Sequence, residues 1–114
     1  MKQINELEWN KTWTEFGYLK QLCQLPYSVK ELENLFSLSF FEYIENGLGL
    51  CYGAYIEIED KMYFLMGFSS KIDKELCILV QVKSYESNLT TLLDNICKEF
   101  KVSKGELIWV NSDL

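Results

Sequence analysis

The stretch from Leu48 to Lys83 constrains the fold most, because three apolar runs follow one another there with short polar breaks between them. In the first run, Ala54, Ile56 and Ile58 alternate with more polar residues, which is the two-residue period of a strand that buries one face. The second run, Met62 to Phe68, is apolar almost throughout and is typical of a strand covered on both faces. The pattern predicts the antiparallel centre of a small sheet.

A third run, Leu76 to Lys83, alternates again and predicts a strand beside the second one, in a meander. The register between the first two strands stays open. A two-residue turn at Asp60-Lys61 sets Ile58 opposite Tyr63, whereas a three-residue loop sets Ile58 opposite Phe64. One residue of slip exchanges the two faces of a strand.

Two capping boxes predict helices before the sheet. The segments Thr12 to Glu15 and Ser28 to Glu31 each begin with a hydroxyl residue and carry Glu three positions later. The apolar spacing that follows predicts a first helix over Trp13 to Leu25, which Pro26 ends, and a short second helix that begins at Val29.

Residues 37–45 allow two interpretations. If Asn46-Gly47 forms a type I′ turn, Phe40 to Glu45 is an edge strand that pairs with the apolar run after the turn. If Gly47 is instead a helix C-cap, the second helix continues through this segment. The hairpin is the interpretation that we favour.

Beyond the third strand, apolar residues recur at helical spacing and predict an amphipathic helix, followed by a last short strand over Leu107 to Val110. Residues 1–114 are therefore expected to form a single α+β domain. It has N-terminal helices, an antiparallel three- to four-stranded sheet, a C-terminal amphipathic helix and a final short strand, with the helices packed on one face of the sheet. The apolar residues that recur at helical spacing in the C-terminal helix, and form its apolar stripe, are Leu89, Leu92, Leu93, Ile96, Cys97 and Phe100.

The residue inventory argues against catalysis. The chain has no histidine, so a Ser-His-Asp or Cys-His arrangement cannot form within it. The four cysteines are far apart in sequence and sit among apolar neighbours, which predicts reduced, buried thiols rather than metal ligands or a redox pair. We expect no enzymatic activity, no metal and no cofactor.

Charge narrows the possible partners. The protein has 17 acidic residues and 11 basic ones, all lysines, so it lacks the bidentate arginine fork that suits phosphate and guanine, and its net charge of −6 repels nucleic acid. No window approaches the roughly 18 consecutive apolar residues that a membrane helix needs, and the polar N-terminus lacks the apolar core of a signal peptide. We expect a cytoplasmic protein that binds neither nucleic acid nor membrane directly.

The acidity is concentrated. From Glu31 to Asp60 the chain carries seven acidic residues and no lysine. We expect these carboxylates to gather with aromatic side chains around the central hairpin and to attract a basic protein, with tyrosine as a rigid anchor. The predicted partner-binding residues are Glu42, Glu45, Tyr55, Glu57, Glu59 and Asp60.

The size, the acidity, the order of helices, strand meander, helix and strand, and the lack of a catalytic constellation resemble a class of bacterial immunity proteins. These are the cognate inhibitors of contact-dependent growth inhibition and related polymorphic toxins. The resemblance implies a cytoplasmic protein that binds the toxin domain, often a basic nuclease, and blocks its active site or its substrate surface.

Two other functions fit the sequence. One is a small-molecule-binding or sensory domain with an apolar pocket between the sheet and the C-terminal helix, lined by Phe64, Met66, Phe68 and Trp109. The other is an adaptor subunit of a larger assembly, which an exposed apolar patch or a stable homodimer would indicate. The sequence leaves the oligomeric state open.

Overall fold

The computed structural model describes residues 1–11, 19–68, 78–83 and 89–111. Strands and short helices alternate at the N-terminus, a strand meander follows, and a helix and a short strand end the described chain. A 3₁₀ helix, Lys104–Glu106, precedes the last strand. The elements are β1 Lys2–Ile4, α1 Glu6–Lys11, β2 Leu19–Leu25, α2 Val29–Phe36, β3 Phe41–Glu45, β4 Gly49–Ile58, β5 Lys61–Phe68, β6 Ile78–Lys83, α3 Leu89–Glu99 and β7 Trp109–Val110.

The seven strands of the described residues belong to one antiparallel sheet in the order β1-β4-β5-β6-β2-β7, with β3 also paired to β4. The α+β class, the C-terminal helix and the final short strand are thus confirmed. The sheet is larger than the three or four strands expected, because the N-terminal region contributes β1 and β2 as well as helix.

Strand β2 corrects the predicted helix over Trp13 to Leu25. Leu19–Leu25 pairs with β6 and β7, and the register shifts between Gln21 and Cys23. This bulge buries both Leu22 and Cys23, so the apolar residues lose strict alternation and imitate helical spacing. Residues 12–18, including the first predicted capping box, lie outside the described residues.

Helix α2 begins as predicted. Ser28 Oγ accepts a hydrogen bond from the Glu31 backbone N–H at 3.1 Å, and Glu31 Oε1 accepts one from the Ser28 N–H at 3.0 Å. The helix ends at Ser37, whose φ of 55° is left-handed. Residues after Ser37 therefore leave the helix, and Phe41–Glu45 becomes strand β3, which confirms the favoured hairpin.

The turn of that hairpin differs from the expected one. Glu45 pairs with Gly49, so the loop has three residues, and the Leu48 N–H donates to the Glu45 carbonyl at 3.1 Å. Gly47 and Gly49 have φ of +84° and +82°, whereas Asn46 does not have a positive φ. A type I′ turn needs positive φ at both central residues, so it does not form here.

A type I′ geometry occurs instead between β4 and β5. Glu59 and Asp60 have φ of 50° and 64°, and Ile58 lies opposite Lys61. Both predicted registers are therefore wrong. The two-residue turn was expected to set Ile58 opposite Tyr63, and the observed register differs from this by two residues. Because two is an even number, Ile58 and Tyr63 still lie on the same face of the sheet. Strand β6 pairs with β5, which confirms the meander.

The main core lies on one face of the sheet, where α2 and α3 cover it. The helical stripe predicted from Leu89 to Phe100 is buried there with Ile56, Tyr63 and Leu65. Cys23, Cys51 and Cys97 are free and buried, as predicted, and Cys77 lies outside the described residues.

A smaller cluster occupies the opposite face and contains Ile4, Trp9, Phe64 and Met66. Strand β5 is thus covered on both faces, as predicted. The expectation that the helices share one face holds for α2 and α3, whereas α1 places Trp9 on the other side of the sheet.

Candidate protein-binding surface

Strands β1 and β3 lie end to end along the same edge of β4. Lys2, Gln3 and Ile4 pair with β4 residues 57, 56 and 55, and β3 pairs with β4 residues 53 to 49. One position, opposite Ala54, separates the two short strands. The outer edge of the sheet is therefore built from two chain segments that are far apart in sequence.

Hydrogen bonds fix this junction. Gln3 Nε2 donates to the Ser39 carbonyl at 2.6 Å, and the Ser39 N–H donates to Gln3 Oε1 at 2.9 Å. The Phe40 N–H also donates to Glu33 Oε2 at 3.3 Å. These contacts position the chain as it enters β3.

Strand β3 and its turn are unusually open. The side chain of Ile44 is 74% exposed, that of Leu48 50% and that of Phe41 40%, and Glu42 and Glu45 are also exposed. Within the described residues β5 ends at Phe68, opposite Cys51, so the segment from Ile44 to Leu50 extends beyond it as a two-stranded tip. We call this segment the hairpin tip.

Aromatic side chains support the base of β3. The rings of Phe41, Tyr43 and Tyr55 lie within 5.1 to 6.3 Å of one another or of Phe64, and Trp9 packs on Tyr55 at 4.9 Å. Burial raises the pKa of Tyr43, with smaller contributions from Cys51 and Glu45. The hairpin tip is therefore supported by packed, uncharged aromatic side chains. We call Trp9, Phe41, Tyr43, Tyr55 and Phe64 the aromatic platform.

Gly53 allows this packing. A Cβ atom at Gly53 would lie 2.6 Å from Phe64 Cζ and 2.8 Å from Phe41 Cζ, so both rings occupy the space that a side chain would take. The close approach places Phe41 at the boundary between the buried platform and the exposed strand.

The predicted partner-binding residues do not form one surface. Glu45 lies opposite Gly49 at one end of β4, whereas Glu57 lies near the other end, eight residues or roughly 26 Å along the strand. Glu59 and Asp60 form the turn beyond Glu57. The expectation of a single acidic face is wrong, because β4 is long enough to separate its ends.

The faces separate these residues further. Glu42 lies opposite Tyr52, which points to the other face of β4 from Tyr55. Tyr55 itself is half-buried in the aromatic platform. Its pKa is raised mainly by burial and to a smaller extent by the nearby Glu6 carboxylate. Tyr55 thus supports the surface and is not an exposed anchor.

The two ends differ in their neighbouring charges. Glu57 lies opposite Lys2, and the residue after Glu59 and Asp60 is Lys61. No described lysine lies opposite Glu42 or Glu45 in the strand register. Of the two ends of β4, the β3 end is therefore the one at which exposed apolar side chains, Ile44 and Leu48, accompany carboxylates that have no described lysine opposite them.

The exposed apolar residues were missed by sequence reasoning. Phe41, Ile44 and Leu48 belong to apolar stretches that read as core, and no local signal distinguishes them from buried residues. Their exposure follows from the strand order, which, among the residues that the structure describes, leaves β3 at an edge with a neighbour on one side.

A surface cavity of about 390 Å³ opens beside the junction of β1 and β3. Phe64 and Met66, two of the residues expected to line a pocket between the sheet and the C-terminal helix, instead face away from α3 and pack with Trp9. The cavity is lined by Gln3, Ile4, Asn5, Glu6, Phe41 and Tyr55.

Within residues 1–11, 19–68, 78–83 and 89–111, no three Cys, Asp or Glu side chains are grouped so that they could hold a metal ion. In the same part of the chain, none of the helices has the length and apolar character needed to cross a membrane. Comparison of the chain with protein-family models, curated proteins and solved structures found no match.

Proposed function

We propose that this protein is an immunity protein, which binds and neutralises a cognate toxin in the cytoplasm without catalysing a reaction. The toxin domain is a basic nuclease of the kind used in contact-dependent growth inhibition. One observation carries the proposal, namely that Ile44 and Leu48 of the hairpin tip are exposed in the same region as the exposed carboxylates Glu42 and Glu45 of β3. Exposed apolar groups within a charged surround are typical of protein interfaces.

The two kinds of side chain have different roles. Ile44, Leu48 and Phe41 supply apolar area that is removed from water when the partner binds. Glu42 and Glu45 attract the basic groups with which a nuclease holds phosphate, and this attraction raises the association rate. Added salt screens the attraction, so the association rate falls as the salt concentration rises. Occupation of those basic groups by the tip excludes the nucleic acid.

The contact surface is accordingly revised to the β3 end. Glu57, Glu59 and Asp60 lie at the far end of β4, beside Lys2 and Lys61, and are assigned no direct contact in this proposal. The matched acidic pairs at the two ends of β4 make a direct test possible.

The test begins with a pull-down from the native host, read by mass spectrometry, and with titration of the recovered toxin domain. Reversal of Glu42→Lys with Glu45→Lys is expected to weaken binding about 100-fold and to abolish nuclease inhibition. Reversal of Glu57→Lys with Glu59→Lys is expected to change affinity less than about threefold. The opposite ranking would reject the β3 surface, and recovery of no inhibited toxin would reject the function.

Alanine substitutions at two exposed isoleucines, one in the hairpin tip and one far from it, provide a second test. Ile44→Ala is expected to weaken binding about tenfold. Ile108, which is 58% exposed but lies away from β3, provides the matched change Ile108→Ala, for which no loss is expected. Equal effects of the two variants would show that the tip contributes no anchor.

The cavity beside β1 favours a second function, the binding of a small molecule. Its volume of about 390 Å³ is within the range of ligand sites, and Phe41 and Tyr55 give it an aromatic wall. Thermal stabilisation by a metabolite, lost on Tyr55→Ala and retained in the Glu42→Lys and Glu45→Lys variant, would support this function over toxin binding.

A further inference from the structure

The outer edge of β3 has unused hydrogen-bonding capacity. The strand pairs with β4 over all five residues without a register shift. In the described part of the chain it has no partner on its other side. Alternate residues of an edge strand direct their N–H and C=O groups outward, so β3 presents a row of donors and acceptors.

The other edges of the sheet are better protected. Strand β1 has three residues and begins with Lys2, and β7 has only two residues. Short length, charged side chains (lysine above all), proline and bulges are the usual features that prevent an edge from pairing with another chain. Strand β3, Phe-Glu-Tyr-Ile-Glu, has five residues and no lysine, proline or bulge.

The charge of β3 indicates which kind of strand can pair with its outer edge. A second copy paired antiparallel about Tyr43 would set Glu42 opposite Ile44 and Glu45 opposite Phe41, so neither carboxylate would meet an opposite charge, and the two Glu42 would be diagonal neighbours on one face. A partner strand with basic side chains would instead place an opposite charge beside Glu42 and beside Glu45. The alternation of the strand places Glu42 and Ile44 on one face and Glu45 on the other.

We propose that β3 binds its partner by strand addition, in which an extended, lysine- or arginine-bearing segment hydrogen-bonds along the outer edge of β3 and extends the sheet. This inference rests on the proposed function and specifies its contact. Backbone hydrogen bonds supply the affinity, and basic side chains opposite Glu42 and Glu45 supply the selectivity.

The experiment uses the full chain and three short capped peptides. The first has two lysines three positions apart among valines, so that one can lie opposite Glu42 and the other opposite Glu45 on the other face. The second is the same peptide N-methylated at alternate amides, and the third has glutamate in place of both lysines. Amide exchange of the protein is followed by NMR. The lysine peptide is expected to slow exchange of the outward β3 amides about tenfold, and the N-methylated and glutamate peptides are expected to leave it unchanged.

A charge swap gives the second arm. In the Glu42→Lys and Glu45→Lys variant, the glutamate peptide is expected to protect β3 and the lysine peptide to lose its effect. Equal protection by the N-methylated peptide, protection away from β3, or concentration-dependent dimerisation of the protein through β3 would overturn the proposal. Because the peptides replace the toxin, absence of a toxin in the pull-down would reject the proposed function while leaving this result intact.

Discussion

The side-chain amide of Gln3 forms a two-way hydrogen-bonded pair with the backbone of Ser39, donating at 2.6 Å and accepting at 2.9 Å. The pair joins the end of β1 to the segment that leads into β3. Two strands that share one edge of β4 are thereby held in line, although 36 residues separate Gln3 from Ser39. The position of the β3 edge depends on this junction.

We expect Gln3→Ala to lower the free energy of unfolding by about 1–2 kcal/mol, since each hydrogen bond contributes about 1 kcal/mol net. Amide exchange in β3 should become faster than in β6. The comparison variant Gln3→Glu keeps the acceptor for the Ser39 N–H but places a carboxylate against the Ser39 carbonyl at neutral pH. An unfolding curve for Gln3→Ala that matches the original protein would contradict the role of this junction.

Gly53→Ala tests the aromatic platform. The added methyl group would collide with the rings of Phe64 and Phe41, so we expect a loss of about 1–3 kcal/mol in urea unfolding. Gly105→Ala is the control, because a Cβ there meets no atom within 4 Å and its φ is not positive. A change of less than about 0.5 kcal/mol is expected for it. Similar losses for both variants would indicate that the ring contacts at Gly53 are not limiting.

Ser28→Ala tests the capping box of α2. The change removes the acceptor for the Glu31 N–H and is expected to cost about 1 kcal/mol of stability. Ser28→Asp supplies a carboxylate acceptor at the same position and should stay within a few tenths of a kcal/mol of the original protein. Thermal and urea unfolding measure both variants, and an equal loss for Asp and Ala would refute the capping explanation.

The buried thiol of Cys23 predicts a loss of stability at alkaline pH. Burial, with a smaller contribution from Cys97, raises its pKa from 9.0 to about 12. The unfolded chain therefore releases this proton first, and stability falls as the pH rises from about 9 towards about 12, by at most about 1.4 kcal/mol per pH unit. Urea unfolding at several pH values should show a shallower decline for Cys23→Ala. An identical decline in both proteins would assign the effect to other groups.

Local patterns predicted the elements whose signal lies within one segment. Ala54, Ile56 and Ile58 are buried on one face of β4, as their alternation indicates, and the Leu89-to-Phe100 stripe faces the main core. The Ser28 capping box also forms as predicted. These features need no knowledge of what packs against them, because side-chain period and capping are properties of the local backbone.

Strand β2 shows where this reasoning failed. Its bulge puts Leu22 and Cys23 into the core side by side, and the resulting spacing matches a helix. A bulge depends on the partner strand β6, which lies more than fifty residues later in the chain. The sequence around Leu22 contains no information on that partner.

The predicted partner-binding residues lie at two places in the fold. Glu42 and Glu45 are in β3, on the surface that we propose binds the partner, whereas Glu57, Glu59 and Asp60 lie at the opposite end of β4. Charge density along the chain does not give charge density in space, because a strand of ten residues carries its two ends about 30 Å apart.

The sequence by itself determined which face of β4 and of α3 is apolar, where α2 begins, and that the acidity is concentrated between residues 31 and 60. Only the tertiary structure decided that β1 and β3 share an edge, that the acids divide between two ends, and that Ile44 and Leu48 stay exposed. The reason is that periodicity and capping arise from neighbouring residues, whereas strand order and edge exposure arise from pairing between segments distant in the chain.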